Sequence, residues 1–255
     1  MKFLPIFKKE IKTYFVSPIV YVVALIFSLI IGFIFSLIVG SYNIISMRAT
    51  SYPYGGFSLN PTEMIGLPTF HNMAITILFI SCLLTMRLFS DEKKTDTIEL
   101  LFTYPLRDID IVIGKLFACL SIFVGMVSIS VIYFLILEKW INFDKLVLLN
   151  GYIGLILLGV SFISIGIFVS SLTENQIVSA TITFGLALLF WLIGWVSEIA
   201  GPKWHQFFTY ISLLDHYENF PKGILDTKDL VYYLTFSVFF NFLTLKILSS
   251  KKYRG

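Results

Sequence analysis

From Ser17 the chain reads Ser17-Pro18-Ile19-Val20-Tyr21-Val22-Val23-Ala24-Leu25-Ile26-Phe27-Ser28-Leu29-Ile30-Ile31-Gly32-Phe33-Ile34-Phe35-Ser36-Leu37-Ile38-Val39-Gly40, and no charge appears before Arg48. A helix needs about 20 mostly apolar residues to cross about 30 Å of hydrocarbon. Four further runs carry no charge: Met64 to Met86, Leu116 to Leu137, Leu146 to Thr173 and Asn175 to Ser197. A shorter sixth run, Leu230 to Leu245, is flanked by Asp229 and Lys246, whose side chains are expected to reach the membrane interface. The runs predict an all-α membrane protein with six transmembrane helices, at roughly 18–40, 67–89, 113–137, 147–171, 177–198 and 229–249. Residues 1–255 form a single membrane domain on this reading. The first run is too long for a signal-peptide core and lacks a small-residue cleavage site, so it is expected to be retained.

Composition agrees. Of 255 residues, 57% are hydrophobic and 14% charged, where a soluble domain carries about 25% charged residues. An ordinary cytosolic globule, a disordered chain and a nucleic-acid binder are excluded, and a net charge of +3 gives no nucleic-acid footprint. Cys82 and Cys119 lie inside apolar runs and read as small core residues, with no disulfide framework.

Lysine and arginine set the orientation. With the N-terminus inside, the cytoplasmic side holds Lys2, Lys8, Lys9, Lys12, Arg87, Lys93, Lys94, Arg107, Lys115, Lys246, Lys251, Lys252 and Arg254. The other side holds Arg48, Lys139, Lys145, Lys203, Lys222 and Lys228. The count is 13 against 6 of the 19 basic residues. Both termini are therefore expected in the cytoplasm. The turn Ser171-Leu172-Thr173-Glu174-Asn175-Gln176 has no basic residue and takes its side from alternation.

Residues 1–16 predict an amphipathic interfacial helix. Phe3, Ile6, Phe7, Ile11, Tyr14 and Phe15 recur at helical spacing, and Lys2, Lys8, Lys9 and Lys12 cover the other face, suited to anionic headgroups. Pro18 then turns the chain into the first span. Glu10 falls on the apolar stripe. Either it snorkels to water or it pairs with a basic residue of the cytoplasmic loop.

Beyond the first span, 41–67 reads as a plain external connector containing the turn-rich Tyr52-Pro53-Tyr54-Gly55-Gly56. Residues 200–228 are too aromatic for a free loop, with Trp204, Phe207, Phe208 and Tyr210, and predict short re-entrant or interfacial helices. Asp215, His216 and Glu218 do not have the spacing of a closed zinc site and read as capping or interfacial hydrogen-bonding groups. His71 and Asn72 read as helix-packing groups. No span carries a central charge, which argues against an ion-coupled carrier.

The cytoplasmic loop 90–110 is the most structured polar segment. Asp96 with Glu99 makes a capping-box pattern, so a short helix is expected from Thr97, ending before Pro105. Ile98, Leu101 and Phe102 share one face, and Glu92, Lys93 and Lys94 would stand at its rim. Such a face docks on a cytoplasmic partner or lies on the bilayer. Composition does not separate the two. Asp108 or Asp110 would cap the third span.

Cys82-Leu83-Leu84-Thr85-Met86-Arg87-Leu88-Phe89-Ser90-Asp91-Glu92-Lys93-Lys94, followed by Thr97-Ile98-Glu99-Leu100-Leu101, Pro105 and Gly114-Lys115, resembles the signature loop of ABC-2 type permeases. More narrowly it resembles the gliding-motility-associated subfamily, related to nitrous-oxide-reductase maturation permeases. Lys9 to Pro18, Ser170 to Val178, and Asp215 to Phe220 with Gly223 agree with that subfamily. The resemblance covers nearly the whole chain, least so 41–66 and 138–146. It departs at Asp96, where the family usually has glycine, and at Ser81 and Cys82, near which the family often has proline.

The resemblance implies a bacterial inner-membrane permease. Its partners would be a cytoplasmic ABC ATPase that binds ATP and Mg, a second permease copy or homologue, and a membrane-anchored subunit with a large extracytoplasmic part. Glu92, Lys93, Lys94, Asp96, Thr97, Ile98, Glu99, Leu101, Phe102 and Pro105 would form the ATPase-docking surface. No cofactor is expected on this chain. A Walker A motif is absent, because Gly114-Lys115 has Ile109 where the first glycine is required. Gly159, Gly166, Ser161 and Ser164 are candidate small residues for close approach between two copies. The expected function is ATP-driven substrate movement, outward. The rival classes are a mechanotransmission complex with nothing crossing the membrane, and a scaffold. A lipid-modifying enzyme is disfavoured because no triad, metal cluster or carboxylate pair stands at interfacial depth.

Overall fold

The computed structural model describes residues 3–51, 60–97, 107–199 and 202–252. Within these residues the chain is helical and has no strand. Helix α1 spans Leu4–Val16 and α2 spans Pro18–Ser51. Ser17 between them is extended, at φ −81° and ψ 129°, as a residue before proline prefers. A π-helical turn, Thr62–Gly66, runs into α3, Leu67–Thr85. The short α4 is Ser90–Lys94. Then follow α5 (Asp108–Leu137), α6 (Lys145–Leu172), α7 (Gln176–Ile199), α8 (Pro202–Ile211), α9 (Leu213–Tyr217) and α10 (Thr227–Lys252).

Six helical stretches are long and apolar enough to cross a membrane: Pro18–Arg48, Thr62–Lys94, Asp108–Leu137, Lys145–Leu172, Gln176–Val196 and Thr227–Ser250. They match the six expected spans, with differences at the ends. Helix α2 continues through Ser41–Ser51, which were expected to be connector. No proline or glycine interrupts that stretch, and at 1.5 Å per residue the helix is about 51 Å long. It is therefore longer than the hydrocarbon is thick and must tilt or project beyond it. The third span begins at Asp108, and its N-cap is Arg107 with no side-chain cap. Asp108 and Asp110 sit in the first turn instead, where they favour the positive helix end.

Helix α6 is the hub. Its central window is 72% buried inside the chain, against 22% for α2 and α10. It packs most heavily on α10 and α3, and also on α5 and α7. Its glycines make this possible. A Cβ on Gly151 would stand 2.6 Å from the Phe70 ring, and one on Gly154 2.5 Å from Phe220. On Gly159 and Gly166 it would overlap Phe123 and Thr85. Ser161 Oγ lies 3.4 Å from Ser237 Oγ, and Asn241 Nδ2 donates to Ser164 Oγ at 2.9 Å. These four small residues were expected to serve contact between copies. They serve contact within one chain.

Candidate functional site

Helix α1 does not lie free on a bilayer. Ile6, Glu10 and Tyr14, one position per turn, are buried against the chain, and α1 packs chiefly on α5. Gly114 of α5 permits the approach, since a Cβ there would be 2.9 Å from Ile6. Phe3 meets Phe117 at 6.2 Å between ring centroids. Lys8 and Lys12 remain exposed on the opposite face. The amphipathic pattern was legible; Ile6 and Tyr14 of its apolar stripe cover protein, while Phe15 stays exposed.

Glu10 is the reason this stripe carries a charge. Its Oε1 accepts from Lys115 Nζ at 2.7 Å. Lys115 is 1% exposed and also donates to the Leu88 carbonyl at 2.6 Å. It stands 2.9 Å from Glu92 Oε2, as an ion pair rather than an aligned hydrogen bond. Glu92 Oε1 accepts from Lys9 at 2.7 Å. The Lys115 ammonium sits 4.8 Å from the Phe89 ring centroid. Two carboxylates thus flank one buried lysine, and a half-exposed lysine completes the set. Glu10 does pair with a base, but that base belongs to the third span and not to the loop.

The same end holds the break after α3. Residues 86–89 leave the helix although no proline or glycine stands there. Ser170 of α6 supplies the cause. Its hydroxyl accepts from the N–H groups of Phe89 and Ser90 at 3.0 and 3.2 Å, and donates to the Met86 carbonyl at 3.2 Å. A side chain entering the backbone ladder is a recognised origin of such a break. Tyr14 OH donates to Leu84 O at 2.8 Å, and Arg87 lies over the Tyr14 ring and donates to Ser17 Oγ at 2.7 Å. Burial pushes the Tyr14 phenol well up, so it remains a neutral donor.

Two expected rim residues are buried. Glu92 belongs to the Lys115 cluster, and Lys93, 5% exposed, donates to the Ser171 carbonyl. Lys94 is exposed. Gln176 donates to Asp91, so the turn between α6 and α7 lies against α4. The segment between spans 2 and 3 and the turn between spans 4 and 5 therefore share one end of the bundle with α1. Asp96 has φ +53°, the left-handed region where glycine is commonest and Asp is tolerated. An N-cap residue is normally extended, so Asp96 does not have the expected N-cap backbone. Ile98, Glu99, Leu101, Phe102 and Pro105 lie outside the described residues; Thr97 is the last one before them.

The opposite end is built by residues 202–229. Ser212 caps α9, its Oγ accepting from Asp215 N at 3.2 Å, so the expected capping role falls to a serine and not to the acidic residues. Burial of the Asp215 carboxyl raises its pKa, with the Ser212 hydrogen bond opposing. Glu218 pairs with Lys222 at 3.2 Å on the surface. His216 Nδ1 lies 2.6 Å from Asp229 Oδ1, and Asn219 Nδ2 donates to Asp229 Oδ2 at 2.8 Å. Asp229 is 0% exposed and does not snorkel as expected. Tyr217 of α9 donates to Phe70 O at 3.0 Å, and Tyr233 of α10 donates to Leu213 O of α9 at 2.7 Å. His71 packs edge-on to Trp191, and Asn72 donates to the Pro68 carbonyl at 2.8 Å. Among the described residues, no group of three His, Cys, Asp or Glu side chains is placed to hold a metal.

The family model for ABC-2 family transporter proteins matches residues 4–249. The chain belongs to the ABC-2 transporter family. No curated protein matches it. An ABC-2 permease is the membrane part of its transporter and is not itself the catalyst, and membership implies an ABC ATPase as partner. The residues Gly114 and Lys115 now have local explanations in this permease: one admits α1, the other anchors it.

Proposed function

We propose that this permease receives the work of a cytoplasmic ATPase through residues 90–110 and passes it to the spans through the Lys115 cluster. The ATPase binds ATP and Mg; this chain holds neither. The observation that supports the reading is the ion pairing of α1, α4 and α5 around one buried lysine, at the foot of the segment that was expected to dock. From Glu92, at the start of that segment, ion pairs run to Lys115 on α5 and from there to Glu10 on α1. Both termini face the cytoplasm of a bacterial inner membrane on this reading, as the basic-residue count requires. A second permease copy or homologue completes the path, substrate moves outward, and a membrane-anchored extracytoplasmic subunit accompanies the pair as the gliding-motility resemblance implies.

Leu101→Asp puts an unpaired charge on the face formed by Ile98, Leu101 and Phe102. It is expected to abolish ATPase co-purification while the permease remains folded. Lys94→Ala, on an exposed side chain, is the control and should change little. Lys93→Ala is unsuitable, because that ammonium is buried. Full ATPase binding and stimulation by Leu101→Asp would remove the docking assignment. Transport into sealed vesicles separates substrate movement from mechanotransmission.

A further inference from the structure

Helices α5 and α6 follow one another in the chain, yet they pack less on each other than α6 packs on α10 or α3. They meet tightly where the Phe123 ring seats on Gly159. From there toward the 138–144 connection an open groove of about 440 Å³ separates them. Phe134, Phe143 and Tyr152 form its floor, the Phe143 and Tyr152 rings standing edge-on to Phe134 at 5.7 and 6.3 Å between centroids. The hydroxyls within it are already satisfied. Ser128 Oγ donates to the Val124 carbonyl at 2.7 Å, and Tyr152 OH lies 3.0 Å from Ser130 Oγ. An occupant of this part meets no free side-chain donor or acceptor, which suits an apolar one.

Charge is confined to the mouth. Glu138 and Lys145, one from each wall, pair there at 2.8 Å, and the Lys145 side chain is 79% exposed with ammonium donors to spare. Trp140, 73% exposed in the connection, suits the level where hydrocarbon meets water. Depth selects the occupant. The wall rises about 21 Å from Val124 to Glu138 and about 16 Å from Lys145 to Ile156, enough for one leaflet of about 15 Å and short of the full hydrocarbon of about 30 Å. A helix of a neighbouring chain crosses both leaflets and would run past the closed end at Phe123. An acyl chain ends within one leaflet.

We infer that this groove holds one acyl chain of a phospholipid from the leaflet at the Lys145 end, with the lipid phosphate on the Lys145 ammonium. The inference does not depend on how the ATPase docks.

The test uses the intact permease in phosphatidylcholine nanodiscs that carry a trace of phosphatidylglycerol with a diazirine at the end of one tail. Residues labelled on illumination are located by mass spectrometry. Labelling is expected to concentrate on 124–135 and 148–156, about tenfold above the exposed face of α2 that carries Phe33 and Leu37. Diacylglycerol with the same tail lacks the phosphate and should label the groove about threefold less, the scale of one exposed charge contact. Lys145→Gln should remove that difference, whereas Lys139→Gln, on an exposed lysine outside the groove, should keep it. Val131→Trp fills the groove and should bring its labelling down to the level of α2. Equal labelling by the two lipids in the parent protein overturns the phosphate contact. The parent also decides the tail site whatever the variants do. Labelling spread evenly over the exposed spans, as for lipid that merely surrounds the protein, overturns it, and so does a groove left unlabelled because a neighbouring copy fills it.

Discussion

Both ends of this bundle bury carboxylates, but they tie them differently. At one end Lys115 and Glu10 are 105 residues apart, and Glu92 comes from a third helix. At the other, Asp229 is held by His216 and Asn219, 13 and 10 residues away. The first arrangement fastens separate elements to one another. The second fixes the shape of one local segment. A long-range tie transmits displacement between helices, whereas a local tie keeps a site rigid while helices move around it.

Removing the central cation should break this contrast most visibly. Lys115→Met leaves two buried carboxylates with reduced or no compensation, at a cost of about 3–5 kcal/mol. Thermal unfolding in detergent should show the loss, and limited proteolysis should cut α1. The triple variant Lys115→Met, Glu10→Gln, Glu92→Gln should recover most of it. If the triple variant melts as low as the single one, charge is not what binds α1.

Ser170→Ala comes next. It strands the Phe89 and Ser90 amides, each worth about 1–3 kcal/mol when buried without a partner. Hydrogen exchange at these two amides should accelerate while the 202–229 region is unchanged. His216→Gln should cost less, because Asn219 still holds Asp229; about 1–3 kcal/mol is expected, with α1 as protease-resistant as in the parent. Cleavage of α1 in that variant would mean the ends are coupled after all. Asp96 gives the smallest effect. Asp96→Gly should be neutral within a few tenths of a kcal/mol, and Asp96→Val should lose about 1–2 kcal/mol from its left-handed backbone. Equal melting of the two would show that the turn relaxes.

The sequence carried the spans because charge-free runs are a local property, and the helix junction at Pro18 because proline acts on its own neighbour. It also marked Glu10 as out of place. What it did not carry was the partner, since Lys115 was read only as one of the basic residues on the cytoplasmic side. The break at 86–89 was invisible for the same reason: its cause is a serine some 80 residues on. Residues 98–106, which hold most of the expected docking face, lie outside the described structure. Around Asp215 the capping role expected of the acidic residues belongs to Ser212.

The glycines of α6 have a mechanical consequence. Phe70, Phe220, Phe123 and Thr85 each seat where a side chain would otherwise stand, like teeth in the notches of a rack. A helix engaged in this way cannot slide by a fraction of a turn past α3 or α5 without driving rings into backbone. Under an ATPase stroke of the kind proposed above, α3, α5 and α6 are expected to travel as one block, and relative motion falls to the less enclosed α2 and α7. A disulfide locking α3 to α6 should then leave turnover intact, whereas one locking α6 to α7 should stop it.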